Sequence, residues 1–512
     1  MLMNRTAVMD FINEMEERYP VDQWTIEGIH FWPLVRISMA MQLFIQNISN
    51  ENIPNRSIIN KLNDYSTRIA KLVKMIYLNN SHGYKNIHSS EVDYLFIGDQ
   101  VSRIWLNDAW YDRFCDPFIE HLNNIGKKSI HMEPYYDAKN PNYRPTRYLQ
   151  PRLDFIKLKS LLMKPYNVNN ISLNNYNIFA NKIHLSFPEL DGIINVIPRQ
   201  MGFILWFSRY FEKFLSVNKL KAVFIVEYYN IIAMSIILAC KRLNIPTIDI
   251  QHGVQGDLHI AYGRWQKVPE HGFNLLPDYF WVWSESEANA INNWRLDNDV
   301  DTHKPFAGGN IWLEMWKSSE TTLVNTYDEI FNKSLNRNNS TVILFTLQPL
   351  TFDEKYPEWI TNAITNSPKD WVWLIRLHPC MLTEREKVKE YFVRDGNARI
   401  EIDLATDQPL PIILRNADVH ITSFSSTVIE AHDFGIYSVV IDYRGEEYYK
   451  REIETGWVVP AHNEHELIKA INMQVLKRQK GAIQADDIEP TAKISRFLDI
   501  VEKDYGGNSD EK

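Results

Sequence analysis

Short, largely apolar runs recur along the chain: KAVFIV at 221–226, TIDI at 247–250, DYFWVW at 278–283, TVILFT at 341–346, WVWLIR at 371–376, VHIT at 419–422 and YSVVI at 437–441. Each is too short for a stable helix and apolar on both faces, as strands buried in a parallel sheet are. Longer segments of helical character lie between them, joined by short turns such as Asn244-Ile245-Pro246. Strand, helix and strand in that order predict a parallel sheet with helices on its faces. The pattern predicts an α/β chain of two Rossmann-like domains facing a central cleft, preceded by a helical extension.

The expected divisions are a helical extension over 1–88, an N-terminal Rossmann-like domain over 89–315, and a C-terminal one over 316–480. A helix that packs back on the first domain and a charged tail make up 481–512. Helices are expected over 33–45, 69–78, 111–125, 203–215, 230–243, 285–294 (capped by Ser284), 359–366, 383–393, 411–416 and 464–477. The apolar helix over 33–45 is interrupted by Arg36, and its acidic flanks favour packing on the next domain over lying on a membrane.

The stretch richest in candidate chemistry is NADVHITSFSSTVIEAHDFGIYSVVID at 416–442. It reads as strand, loop, helix and strand. Ser425, Ser426 and Thr427 crowd hydroxyls into the loop, and Thr427 with Glu430 fits a capping box. Hydroxyl donors, free N–H groups and a helix start together suit a phosphate, although such clusters also serve as plain caps. Upstream, the strand at 371–376 runs into Arg376, His378 and Pro379. In open α/β sheets ligands lie beyond the carboxyl ends of the strands, which places His378 and the serine loop at one edge.

Strand ends in the first half supply further candidates. Glu227 ends the run at 221–226, and His252 and Asp257 lie in the QHGVQGD loop after 247–250. Asp99 and Arg103 follow the first strand, EVDYLFIG at 91–98, as candidate acceptor-binding residues. His252 is the first choice of general base, because its ordinary pKa lies nearest neutrality. Asp257 and Glu227 are the alternative carboxylates.

A net charge of -9 without a Lys/Arg-rich block argues against nucleic acid as a partner. The three cysteines are widely spaced and show no metal pattern, so neither a metal nor another cofactor is expected. The acidic run of Asp297, Asp299 and Asp301 lacks the glycine of a calcium loop. The first twenty residues are charged too early for a secretory leader, and sparse cysteine suits a reducing compartment. The expectation is a cytoplasmic protein, with a peripheral place at the inner membrane face, or in a larger assembly, left open.

His378-Pro379 followed by Ser425-Ser426-Thr427 resembles the HP and S motifs of bacterial surface-polysaccharide glycosyltransferases of the GT-B type. Polysialyltransferases, capsule Kdo transferases and CDP-glycerol glycerophosphotransferases carry such motifs. The resemblance is clearest over 220–445. It implies that His378, Ser425, Ser426 and Thr427, with Arg376 and Glu430 beside them, hold the phosphate and nucleoside of a nucleotide-sugar donor. A CMP-activated ulosonic acid, Kdo or sialic-acid-like, is the preferred donor. The acceptor would be a glycan or lipid-linked glycan. Lys304 to Asn310, with Gly308 and Gly309, resembles the interdomain crossing of GT-B enzymes. His252-Gly253 resembles the His-Gly of the glycerophosphotransferases, whereas the sialyl and Kdo enzymes have an acidic residue there. The same build leaves open a UDP- or dTDP-sugar transferase, a CDP-glycerol phosphotransferase, a sugar-nucleotide epimerase, and a non-enzymatic sugar-nucleotide-binding scaffold.

Overall fold

The structure is a computed structural model that describes residues 5–48, 92–135, 141–150, 152–154, 173–187, 190–317, 321–337, 340–349, 356–393, 398–480 and 490–506. The helix expected over 69–78 and the charged tail from 507 onward lie outside the described residues. The chain divides into two compact units: residues 1–310 with 490–512, and residues 311–489.

The first unit opens with helices α1 (Arg5–Arg18) and α2 (Trp32–Ile48), separated by a small hairpin of Thr25–Ile26 with Ile29–His30. Its sheet is built from β1 (Tyr94–Ile97), β2 (Ser129–Glu133), β3 (Thr146–Tyr148), β4 (Ala222–Val226), β5 (Thr247–Ile250), β6 (Tyr279–Val282) and β7 (Lys304–Ala307). Across the sheet the order is β3-β2-β1-β4-β5-β6-β7, and every pairing is parallel. All residues of β1 and β4 are buried, as their unbroken apolar runs require. Helix α3 (Asp191–Leu215) precedes β4, and α4 (Ile231–Arg242) links β4 to β5. Residues 232–240 of α4 are buried on every face, as expected of a helix covered on all sides.

The second unit carries β8 (Thr341–Thr346), β9 (Trp371–Arg376), β10 (Arg399–Glu401), β11 (Val419–Thr422), β12 (Ser438–Val440) and β13 (Val458–Pro460). Their order is β10-β9-β8-β11-β12-β13, again with every pairing parallel. Helix α5 (Thr427–Asp433) joins β11 to β12. Both sheets therefore start at an inner strand, run to one side, and return to continue on the other, which is the doubly wound Rossmann order. The α/β class expected from the strand pattern is the class observed.

The last helix, α6 (Pro490–Gly506), belongs to the first unit. Phe497 packs its ring 5.0 Å from Phe306 and 5.4 Å from Trp281. Tyr279 donates to Asp504 at 2.7 Å, and Lys221 pairs with Glu502 at 2.6 Å.

Several expectations are corrected. Residues 111–115 are not helical: Arg103–Leu106 and Ala109–Asp112 form an antiparallel hairpin, and the helix is Asp116–Asn124. Asn107 and Asp108 both take positive φ, 48° and 60°, the geometry of a two-residue hairpin turn. Residues 304–307 are edge strand β7, and the chain passes from the first unit to the second directly after Asn310. Gly308 passes so close to Trp281 that a Cβ would enter the indole, and Trp281 Nε1 donates to the Gly309 carbonyl at 2.8 Å. Gly308 serves close packing, while Gly309 takes a φ of 84°, in the left-handed region that favours glycine. Helix α3 begins at Asp191, not 203, and runs through Pro198.

Arg36 fastens the N-terminal helices to the loop after β5. It pairs with Glu16, and both side chains are fully buried. Its other N–H groups donate to the Ile260 carbonyl at 2.9 Å and the Gly263 carbonyl at 2.6 Å. The guanidinium lies 4.1 Å from the centre of a Trp265 ring. Glu16 also accepts from Trp32 Nε1 and the Gln266 N–H, both at 2.7 Å. Removing one partner of such a pair strands a buried charge. Glu16→Ala should therefore lose about 3–5 kcal/mol of stability, and joint replacement of Glu16 by Leu and Arg36 by Met should recover most of it; thermal and urea denaturation of the three proteins measures this.

Candidate functional site

In a doubly wound sheet the crevice opens beyond the carboxyl ends of the two strands where the winding reverses. In the second unit these are β8 and β11, which pair from Ile343 with Val419 to Thr346 with Thr422. The loop at 423–427 leaves β11 at this point. It is tightly held: the Ser425 N–H donates to Thr422 Oγ1 at 3.2 Å, and Tyr449 donates to the Ser425 carbonyl at 2.6 Å. A Cβ on Gly445 would collide with the Ser423 carbonyl, so this glycine lets the next turn close over the loop.

The capping box expected from Thr427 and Glu430 does not form in that arrangement. Thr427 is the first helical residue, and Ser425 takes the capping role, its Oγ accepting from the Thr427 N–H at 3.3 Å. Ser425 and Thr427 hydroxyls lie 3.0 Å apart. Ser426, in helical conformation, makes no side-chain cap. Glu430 is buried.

His378 follows β9, on the other side of β8. The ends of β9 and β11 are two strand spacings apart, ~10 Å at about 4.8 Å each, so His378 and the serine loop flank the end of β8. The His378 backbone is extended, as the following proline demands, and its Nδ1 accepts from the Cys380 N–H at 3.2 Å. Arg376 is engaged elsewhere, with one Nη donating to the Gln408 carbonyl at 2.7 Å and also to that of Ala405. Sequence reasoning missed Arg444, which pairs with Asp442 at 2.7 Å and lies 4.6 Å from the Phe424 ring centre. Its signal was available in the DYRG that follows β12.

In the first unit the reversal falls between β1 and β4. Asp99 lies just beyond β1 and Glu227 just beyond β4. Asp99 accepts from the Val101 N–H at 3.3 Å. Glu227 is held at φ 66°, the left-handed region that costs a residue with a Cβ. Burial, with the charge of Asp99, pushes the Glu227 carboxyl up to about 7. The two groups meet in a cavity of about 690 Å³ that both line.

Arg103 does not stand with them. Its side chain is buried, bonded to Glu133 at 2.5 Å and to Thr146 Oγ1 at 2.8 Å. Asp257 is exposed in its loop. His252 retains some surface, but its Nδ1 is sealed from solvent and finds no hydrogen-bond partner among the described residues. Nε2 lies 3.0 Å from the Tyr229 hydroxyl. Burial, then the charge of Arg113, push the His252 pKa down to about 4. Neutral at physiological pH, it is a weaker base than its ordinary value suggests.

A carboxylate that the sequence pattern does not single out lies beneath this edge. Asp249, inside β5, accepts from the Tyr262 hydroxyl at 2.8 Å and the Tyr228 N–H at 2.9 Å. Burial raises its pKa to about 8. The described residues also contain one buried trio with the elements of a metal set, Asp112, Cys115 and His131, whose ligand atoms lie within 4.8 Å of one another. Two of its members are already engaged. Asp112 accepts from the Phe114 and Cys115 N–H groups and lies 3.1 Å from His131 Nε2, while His131 Nδ1 meets Thr146 Oγ1 at 3.0 Å. Burial keeps the Cys115 thiol protonated.

No protein-family model and no curated protein matches the chain. Among solved structures it is similar to UDP-GlcNAc 2-epimerase from Neisseria meningitidis bound to UDP-GlcNAc, at 14% identity, 80% of this chain, 100% of that one and a TM-score of 0.47. It is also similar to UDP-GlcNAc 2-epimerase from Methanocaldococcus jannaschii, at 14% identity, 80% and 100% coverage and a TM-score of 0.46. The wall teichoic acid polymerase TagF is matched at 10% identity, 89% and 100% coverage and a TM-score of 0.43. At that distance the likenesses fix neither a substrate nor a residue's role. Among the described residues, no helix is long and apolar enough to cross a membrane.

The raised Asp249 carboxyl has a pH signature. Between the ordinary carboxyl range and about 8, the folded chain holds a proton that the unfolded chain has released. Its contribution to stability therefore falls as pH rises through that window. Asp249→Asn keeps an acceptor for the Tyr228 N–H, turns an amide donor to the Tyr262 hydroxyl and removes the titration. The melting temperature of the variant should gain on that of the unaltered protein between about pH 5 and about pH 8, as scanning calorimetry would register.

Proposed function

We propose that this protein is a glycosyltransferase of the GT-B type. It would take a sugar from a nucleotide donor, by preference a CMP-activated ulosonic acid, and pass it to a glycan acceptor in bacterial surface-polysaccharide synthesis. The observation that carries this reading is chemical polarity at the two sheet reversals. One presents hydroxyls and an imidazole, suited to an anion, and the other a pair of carboxylates, suited to accepting a proton.

In this scheme His378, Ser425 and Thr427 bind the donor phosphate, with Ser426 beside them. Glu430 serves the loop from within. Arg376 and Arg444 are engaged with carbonyls and with Asp442, so this edge favours a single phosphate over a diphosphate. Glu227 replaces His252 as the preferred base, because a carboxyl at about 7 is poised near neutrality, while His252 and Tyr229 shape the wall beside it. The acceptor hydroxyl gives its proton to Glu227, its oxygen bonds the anomeric carbon, and the anomeric C–O bond breaks with the electron pair leaving on CMP. Charge building on that phosphate is met by the His378 and hydroxyl cluster.

The donor choice is tested by melting the protein with CMP, CDP, UDP or dTDP. Selective stabilisation by CMP is expected, since a ligand of the native state raises the melting temperature; an equal response to UDP removes the choice. Transfer of sugar-labelled donor to acceptor separates this activity from epimerisation and from glycerophosphate transfer.

The base is tested by pH–rate profiles. kcat/KM should rise with pH through about 7, because the carboxylate form is the active one. Glu227→Gln should lose about 10²–10⁴-fold in rate, and Asp99→Asn should move the rising limb to lower pH. A profile unchanged in both variants assigns the base elsewhere.

A further inference from the structure

The cavity at the first reversal has walls and a floor of different character. Leu34, Ile37 and Met41 come from α2 at spacings of three and four, so they form one aliphatic stripe. Phe203 and Phe207 form a matching stripe on α3, with rings 6.2 Å apart and nearly parallel. Met41 is 39% exposed, which puts an apolar side chain at an opening to solvent.

The charged groups lining the cavity are both acids. Asp99 and Glu227 are carboxyls. Gln200, one turn before Phe203, lines the same cavity, and its Oε1 is sealed from solvent with no hydrogen-bond partner among the described residues. At about 690 Å³ the cavity falls within the ~300–1,000 Å³ range of ligand sites.

We infer that this cavity binds the acceptor by an uncharged, hydroxyl-bearing end carried on an apolar body, and that it rejects anionic ends. Hydroxyl donors meet Asp99 and Glu227, while the apolar body lies along the α2 and α3 stripes. A carboxylate or phosphate at the same place faces two acids, with no Lys, Arg or His among the lining residues to offset its desolvation. A consequence rests on the donor reading above. If the sugar transferred is a ulosonic acid, the product ends in a carboxylate and no longer suits the cavity. The enzyme then adds one residue and stops.

The test uses the full unaltered chain and two probes, octyl β-glucoside and octyl β-glucuronide, below micellar concentration and without any nucleotide. They share an apolar chain and differ in one carboxylate. Calorimetric titration near neutral pH should show the glucoside binding at least tenfold more tightly, and Phe207→Ala should weaken it. Asp99→Asn should narrow the gap between the probes. Equal affinity, tighter binding of the glucuronide, or no binding of either overturns the inference. Failure of CMP to stabilise the protein would remove the donor reading without touching this result. With donor present, mass spectrometry should find one added residue per acceptor, and a ladder of longer products overturns single addition.

Discussion

A parallel sheet wound first to one side and then to the other must part its connections at the strand where it began. The loops there diverge, so nothing from the sheet itself fills the gap above the strand ends. Both units meet this constraint, at β1 and β4 in one and at β8 and β11 in the other. The residues with candidate chemistry cluster at those points: Asp99 and Glu227 in the first, the hydroxyl loop with His378 across β8 in the second. Glu227 and the loop after β11 are also where the backbone is held most deliberately, by a left-handed φ of 66° and by the clasp of Tyr449 on Ser425.

Around the first of these edges the interior is unusually polar, and long-range pairing makes that tolerable. Arg36 and Glu16 bind the N-terminal helices to the loop that carries His252. Asp249 anchors Tyr228 and Tyr262 from below. Buried groups of this kind stay in place only when each finds a partner. Among the buried atoms that do not, Gln200 Oε1 and His252 Nδ1 both lie near the carboxyl-terminal edge of the sheet.

How much was legible in the sequence follows from the same physics. A strand buried on both faces must be apolar throughout, so β4, β6, β8, β9 and β11 were visible as unbroken runs. The serine loop and His378 could be placed because they follow such runs directly. The hairpin at 103–112 was missed because its turn, Asn107-Asp108, sits among aromatic residues with no apolar alternation. Helix α3 was cut short because Pro198 in its interior reads as a stop, whereas packing carries the helix through it. Roles that depend on distant neighbours were not readable at all. Arg103 looked available until Glu133, thirty residues on, claimed it. His252 looked like a base near neutrality until its ring proved buried beside Arg113.

Helix α6 makes the second unit an insertion within the first, because the chain leaves the first fold after Asn310 and rejoins it at Pro490. Anyone grafting another lobe in place of the second unit therefore has two junctions to design. A first lobe cut off before the rejoining segment would expose Trp281, Phe306 and Tyr279, whose aromatic faces Phe497 covers. Such a shortened lobe is expected to be prone to self-association through that bared patch, so a chimaera should carry the returning helix along with its host.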